Sequence, residues 1–260
     1  VLVKNPKYHK RLSTKQVQLL HILFKFRFVS TDLVAELLGK DRSTIYEAFH
    51  VLEKQKLVYK FYNKTYRLRS KPATYCLDSK GIKYLRDNTN LDEKTLRNFY
   101  KNKTMDEEYI DRRLNVFVVY LKLRKIMGEK FNLYTKWGLN KEAFPSPPLP
   151  ELWLERKQAA SGELNYVVDI FVPMTFSWLL KRRIRQYCDF EDDSEYESNN
   201  VLFIAQNKST EERLYKLTED NYWDFEFYIT QQDLLLSSKD GKVWIDPGES
   251  DDEYVRIKLG

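Results

Sequence analysis

The sequence is poor in histidine and cysteine and has no long apolar run. Its 260 residues include three His and two Cys. Cys76 and Cys188 lie far apart and cannot be the framework of a small disulfide-stapled protein, so a reducing cytosol is the expected compartment. His9, His21 and His50 are not spaced as ligands, and no Cys/His set with zinc spacing is present. No uninterrupted apolar stretch reaches the ~18–20 residues that cross a bilayer, so no membrane-spanning helix and no membrane partner are expected. The amino end (Lys4, Lys7, Lys10, Arg11) lacks an apolar signal core, which argues against secretion and for a cytoplasmic location. Val1 in place of Met leads us to expect that the numbering begins within a longer product. A nucleotide-binding Gly-rich loop, a Gly-x-Ser-x-Gly elbow and a Ser/His/Asp set are also missing. No catalytic residue, metal or cofactor is therefore expected.

What is present is core material and uneven charge. A hydrophobic content of 42% with 15% aromatics excludes wholesale disorder, and the length predicts two domains. Residues 1–90 hold 19 Lys+Arg against 7 Asp+Glu, a net of +12, while the remaining 170 carry a net of −6. A concentrated positive domain attracts polyanions through phosphate neutralisation and counterion release.

The basic front has a recognisable order. Residues 12–26 predict a helix capped by Ser13 or Thr14, with Val17, Leu20, Leu23 and Phe24 at helical spacing. Ser30 or Thr31 opens a short helix that Gly39 stops. A third helix runs from near Asp41 to about Lys54, with Ile45, Ala48, Phe49 and Leu52 as its apolar stripe. Residues 57–62 predict a strand, Asn63-Lys64 a turn, Thr65–Arg69 a return strand and Ala73–Leu77 a further strand, followed by a helix opened by Asp78 or Ser79. Three helices and a basic hairpin are the layout of a winged helix-turn-helix. A helix fits the major groove and reads base edges, and a hairpin lies along the backbone. The expected partner is double-stranded DNA. Arg42, Ser43, Thr44, Tyr46, Glu47 and His50 would face the groove, and Lys60, Lys64, Arg67, Arg69 and Lys71 would hold phosphates. On a strand, Arg67 and Arg69 would project together. A protein-only adaptor is the competing reading of the same layout.

Residues 91–130 read as a helical connector, with an amphipathic helix between Asp106 and Gly128. Pro145, Pro147, Pro148 and Pro150 mark a stiff loop. Strands at 152–154, 166–172 and 201–205 interleave with helices at 176–188 and 210–217, and 225–229 with 242–245 add expected edge strands. An acidic loop spans 189–197. The expected fold class is α+β, with a winged helix at 1–90, a connector at 91–130 and an α/β domain with a central mixed sheet at 131–260. In that second domain Asp169 interrupts an apolar strand and Lys208 follows the next one, an order reminiscent of metal-dependent nucleases of the restriction type. Those enzymes need a second carboxylate. Here Ala205 or Gln206 stands in its place, and a neutral amide binds Mg²⁺ far less well.

Several of these motifs resemble winged-helix proteins of the replication-relaxation type, found on bacterial plasmids and conjugative elements. The resemblance rests on Arg11-Leu12 before a Leu-rich helix, Phe26-Arg27-Phe28, Leu37-Leu38-Gly39, and Tyr75-Cys76-Leu77 with Gly81. It continues through Val168-Asp169 and Ala205–Glu211, where the family carries a Glu-x-Asp-x-Gly-Thr-Glu pattern that this chain lacks in both leading acids. It covers about residues 10–217. The resemblance implies a restriction-endonuclease-like second domain with degenerate acids. It also implies DNA binding in plasmid replication, conjugative transfer or transcription control, alongside DNA-processing or replication proteins. Because one winged helix contacts few base pairs, a homodimer on a repeated site is expected.

Overall fold

The computed structural model describes residues 12–139, 149–157, 165–173, 175–192, 199–219, 226–248 and 255–259. Arg11, Pro145, Pro147, Pro148 and the acidic positions 193–197 of the sequence reading lie outside them. The chain divides into two units, Val1–Leu114 and Asn115–Gly260.

In the first unit, helix α1 (Thr14–Phe26) starts from a capping box. Ser13 Oγ accepts from the Gln16 N–H, and the Gln16 side chain accepts from the Ser13 N–H, so two orphan donors are satisfied reciprocally. A three-residue strand β1 (Phe28–Ser30) leads into α2 (Thr31–Leu38), whose Leu33 N–H is capped by Ser30 Oγ. Gly39 ends α2 at φ +59 with its N–H bonded back to Ala35 and Glu36 carbonyls. Nothing lies within 4 Å of where its Cβ would stand, so glycine is needed there for backbone handedness and not for space. Helix α3 (Arg42–Lys54) buries Ile45, Phe49 and Leu52 of the expected stripe and leaves Ala48 half-buried. Strand β2 (Val58–Phe61), a one-turn helix α4 (Lys64–Leu68) and strand β3 (Thr74–Leu77) follow, then α5 (Ser79–Asn88). The sheet order is β1-β3-β2, antiparallel throughout, with fully buried β3 at its centre. This is a winged helix.

The wing differs from the expected hairpin. Residues 64–68 are helical, Arg69 lies in the turn after them and β2 pairs with β3, so the premise that Arg67 and Arg69 share a strand face fails. The local cause is visible. Asn63 Oδ1 accepts from the Tyr66 N–H at 3.0 Å, Tyr66 is buried, and Ser70 at φ +52 terminates the turn. Gly81 has a different duty from Gly39: a Cβ there would sit 2.1 Å from the Leu57 carbonyl oxygen, so α5 reaches β2 only with glycine.

Residues 91–114 join this unit's core. Helix α6 (Glu93–Asn98) and a 3-10 helix (Phe99–Thr104) precede α7 (Glu107–Met127), in which the division between units falls. Phe99 stacks on Phe24 at 5.4 Å between centroids, and Ile110 packs with Phe28 and Cys76. Arg27, buried at φ +70, donates to Asn102 Oδ1 (2.7 Å), the Asn98 carbonyl (3.0 Å) and Tyr109 Oη (2.5 Å). These bonds keep a charge inside the core that burial alone would disfavour.

The second unit is built on a seven-stranded mixed sheet. Strands β4 (Phe131–Thr135), β5 (Leu152–Arg156) and β6 (Asn165–Phe171) are antiparallel neighbours. Helix α8 (Ser177–Asp192) crosses to β7 (Asn199–Ala205), parallel to β6, and α9 (Lys208–Thr218) crosses to β8 (Phe227–Gln231), parallel to β7. After α10 (Gln232–Ser237) come β9 (Lys242–Ile245) and β10 (Arg256–Lys258), giving the order β10-β9-β8-β7-β6-β5-β4. The segment around 227–231 is thus an inner strand, not the expected edge, because β9 and β10 lie beyond it. Both faces of β6 and β7 are buried, which explains their apolar runs, broken in β6 by the buried Asp169. One face packs on Leu180, Ile184 and Tyr187 of α8 and Leu214 of α9. From α7, Asn115 exchanges two side-chain hydrogen bonds with Gln232, and Lys122 donates to the Leu236 and Ser238 carbonyls.

Candidate nucleic-acid interface

The apolar stripe of α3 turns its other side outward. Arg42, Ser43, Thr44, Tyr46 and Glu47 are exposed, and His50 is half-buried. Asp41 caps the helix by position without a side-chain bond, which leaves the first turn open to an incoming acceptor. Arg42 Nε lies 2.7 Å from Asp32 of α2, an exposed pair at the tip of the helix. Tyr46 stacks parallel to His50 at 6.3 Å between centroids, and His50 Nδ1 lies 3.8 Å from Glu53.

The wing faces this helix across a cavity of about 310 Å³. Its wall carries four cations (Arg42, Lys60, Arg67, Lys71) and two phenols (Tyr46, Tyr62), closed below by Thr31, Ser70, Pro72 and Ala73. Lys60 Nζ sits over the Tyr46 ring at 5.1 Å and over the Tyr62 ring at 5.4 Å. Lys64 and Arg67 are exposed on α4 and, like Lys60, make no ion pair among the described residues. Such a wall suits a phosphate chain with flat groups attached.

Arg69 and Lys71 have partners. Arg69 lies 3.1 Å from Glu107, and Lys71 lies 2.7 Å from both Glu107 and Asp111 on the first turns of α7. The bonds to Asp111 and Glu107 raise the Lys71 pKa, and the bond from Lys71 lowers that of Glu107. Reasoning on the sequence missed Asp32, Tyr62, Glu107 and Asp111. Tyr62 had a signal, since it lies two residues from Lys60 and so shares its face. Glu107 and Asp111 had none, because 36 and 40 residues separate them from Lys71.

In the second unit, the buried Asp169 accepts from Arg183 Nε and from the Tyr187 hydroxyl at 2.7 Å. Arg183 also donates to Tyr187 Oη (3.0 Å) and the Leu149 carbonyl (3.3 Å). Burial opposes its charge, yet Asp169 and Tyr187 raise its pKa. Burial first, then Asp169, pushes the Tyr187 phenol up. Lys208 is exposed at the start of α9, 3.8 Å from Glu212. Among the described residues no group of three or more His, Cys, Asp or Glu could hold a metal ion, and no helix is long and apolar enough to cross a membrane. Burial pushes the Cys76 thiol up to about 12, so it is an inert packing residue at neutral pH.

Comparison with protein-family models gives no match, and neither does comparison with curated proteins. Among solved structures, variants of Lactococcus lactis ZitR are 17% identical with TM-scores of 0.27 and 0.28, covering 43% of this chain and 74% or 75% of theirs. A variant of MepR from a multidrug resistant S. aureus clinical isolate is 19% identical with a TM-score of 0.27, covering 48% of this chain and 87% of its own. At such scores the reading of this chain rests on its own geometry.

Proposed function

We propose that the chain binds double-stranded DNA through α3 and the wing. One observation carries the reading: Arg42 and Tyr46 of the outward face of α3 and the wing cations Lys60 and Arg67 border one basic, tyrosine-lined cavity, Lys64 is exposed on the same turn as Arg67, and these three wing cations make no ion pair among the described residues. Arg42, Ser43, Thr44, Tyr46, Glu47 and His50 supply base-edge contacts, and the wing cations hold the backbone. The resemblance to replication-relaxation proteins supports a role on a plasmid or conjugative element, in replication, transfer or transcription control. The cytoplasm is the matching compartment. A homodimer on a repeated site, working with DNA-processing proteins, completes the proposal. The chain acts by binding and not by cleavage: Asp169, the carboxylate a restriction-type nuclease would need, is held by Arg183 and Tyr187.

A salt titration of duplex binding tests this. Three phosphate contacts give a log–log slope near −3. With all five wing cations free it would approach −4.5. A slope near zero overturns the proposal. A plasmid-nicking assay with Mg²⁺ or Mn²⁺ should show no cutting. Metal-dependent cutting that Asp169→Ala abolishes would replace binding with nuclease chemistry.

A further inference from the structure

The second unit presents an aromatic and basic face that duplex recognition does not use. On α8, Trp178, Lys181, Arg182 and Arg185 recur at spacings of three and four, which places them along one side of the helix. All four are exposed, Trp178 at 59%, and Phe176 just ahead of the helix is 64% exposed. The core is supplied instead by Leu180, Ile184 and Tyr187 on the opposite side. The backbone that leads to the exposed rings is anchored. Arg213 of α9 donates to the Thr175 carbonyl (2.8 Å), the Pro173 carbonyl (3.4 Å) and Thr210 Oγ1 (3.1 Å), which fixes the loop into α8. The Phe176 carbonyl then accepts from the Leu179 and Leu180 N–H groups. The cations are available. Arg183 on the same helix is engaged by Asp169, whereas Lys181, Arg182 and Arg185 make no ion pair among the described residues.

We propose that this face binds single-stranded nucleic acid. Flat rings beside three cations match a polyanion whose bases are unstacked. Stacking takes the bases and the cations take the phosphates. A duplex hides its base faces, and an acidic peptide would use the charges but leave the rings uncovered. Trp178 and Arg185 are about 10 Å apart along the helix axis, so the face spans several contacts and not one ion.

Anisotropy titrations of the full chain with a fluorescein-labelled oligothymidylate of about 20 nucleotides test the proposal. Trp178→Ala should weaken binding about tenfold, and Trp178→Phe should retain most of it. The triple exchange K181Q/R182Q/R185Q should flatten the salt slope by about 2. Duplex affinity should be unchanged in all three, so failure here is distinguishable from failure of the α3 and wing site. Oligothymidylate affinity that none of these substitutions alters overturns the proposal. So does loss of sedimentation with phosphatidylserine vesicles at unchanged oligothymidylate affinity, which would assign the face to a lipid surface. Binding that emerges only once Asp193, Glu195 and Glu197 are neutralised would assign it to that acidic stretch and also overturn the proposal.

Discussion

Lys71 places its ammonium 2.7 Å from Glu107 and from Asp111, and Arg69 reaches the same Glu107 at 3.1 Å. Two of the wing's five cations therefore spend their charge on α7 when no DNA is present. Exchanging Glu107 for Gln and Asp111 for Asn should free both. Duplex affinity should rise and the salt slope should steepen by about 2, read in the same titration. The cluster also has a pH signature. The Glu107 pKa is depressed by the Lys71 hydrogen bond, so its contribution to stability is present above its unfolded pKa and fades as pH falls through the lower, folded one. Urea midpoints should fall more between neutral pH and pH about 3 in the wild type than in Glu107→Gln. Equal falls would show that the pair adds nothing. On α3 the exposed Arg42–Asp32 pair is the kind that contributes little, so Arg42 exchanges its partner for a base edge at small cost. Arg42→Ala and Tyr46→Ala should each lose about 1–3 kcal/mol of discrimination between preferred and scrambled duplexes. Lys64→Ala and Arg67→Ala should weaken both duplexes alike, as a binding series on the two sequences would show.

Among the elements, the turn between α2 and α3 depends on one backbone conformation. Gly39 holds φ +59, which an L-residue adopts at a cost of about 1–2 kcal/mol, and the space around it is empty. Gly39→Ala should therefore lower thermal stability by that amount through strain alone, with duplex affinity at low temperature preserved; an unchanged melting temperature would contradict it. Elements whose signals are local were legible in the sequence. Ser13, Ser30 and Gly39 announce helix ends, and Ile45, Phe49 and Leu52 announce a buried stripe. The outward face of α3 followed by subtraction. The wing tip was not legible, because alternating Arg67 and Arg69 look like a strand while the Asn63 cap and buried Tyr66 make a helical turn. Strand β1 is three residues long and exists only through pairing with β3, more than 40 residues later. The ion pairs of Lys71 and of Asp169 depend on tertiary approach, which no spacing rule encodes.

For the whole molecule, charge and core divide at the same place. Residues 91–114 balance six basic with six acidic side chains, so the unit ending at Leu114 keeps the full +12 and the other carries −6. The duplex site, its countering acids and the buried Arg27 network all lie before residue 115. Phe28, Cys76 and Ile110 are buried together there, with Tyr109 and Leu114 packed against them, so the first turns of α7 finish this core. A fragment ending at Leu114 should consequently melt cooperatively and bind duplex DNA with the same salt slope as the full chain. A fragment ending at Asn90 should not, because it loses Phe99, which stacks on Phe24, and Asn102 and Tyr109, which accept from the Arg27 guanidinium. Removing partners from a buried charged network costs about 3–5 kcal/mol, a large share of a small domain's stability. Circular dichroism melts of the two fragments, run beside duplex titrations, decide the matter. A cooperative melt from the shorter fragment would show that residues 91–114 are an accessory layer and that the winged helix closes its core without them.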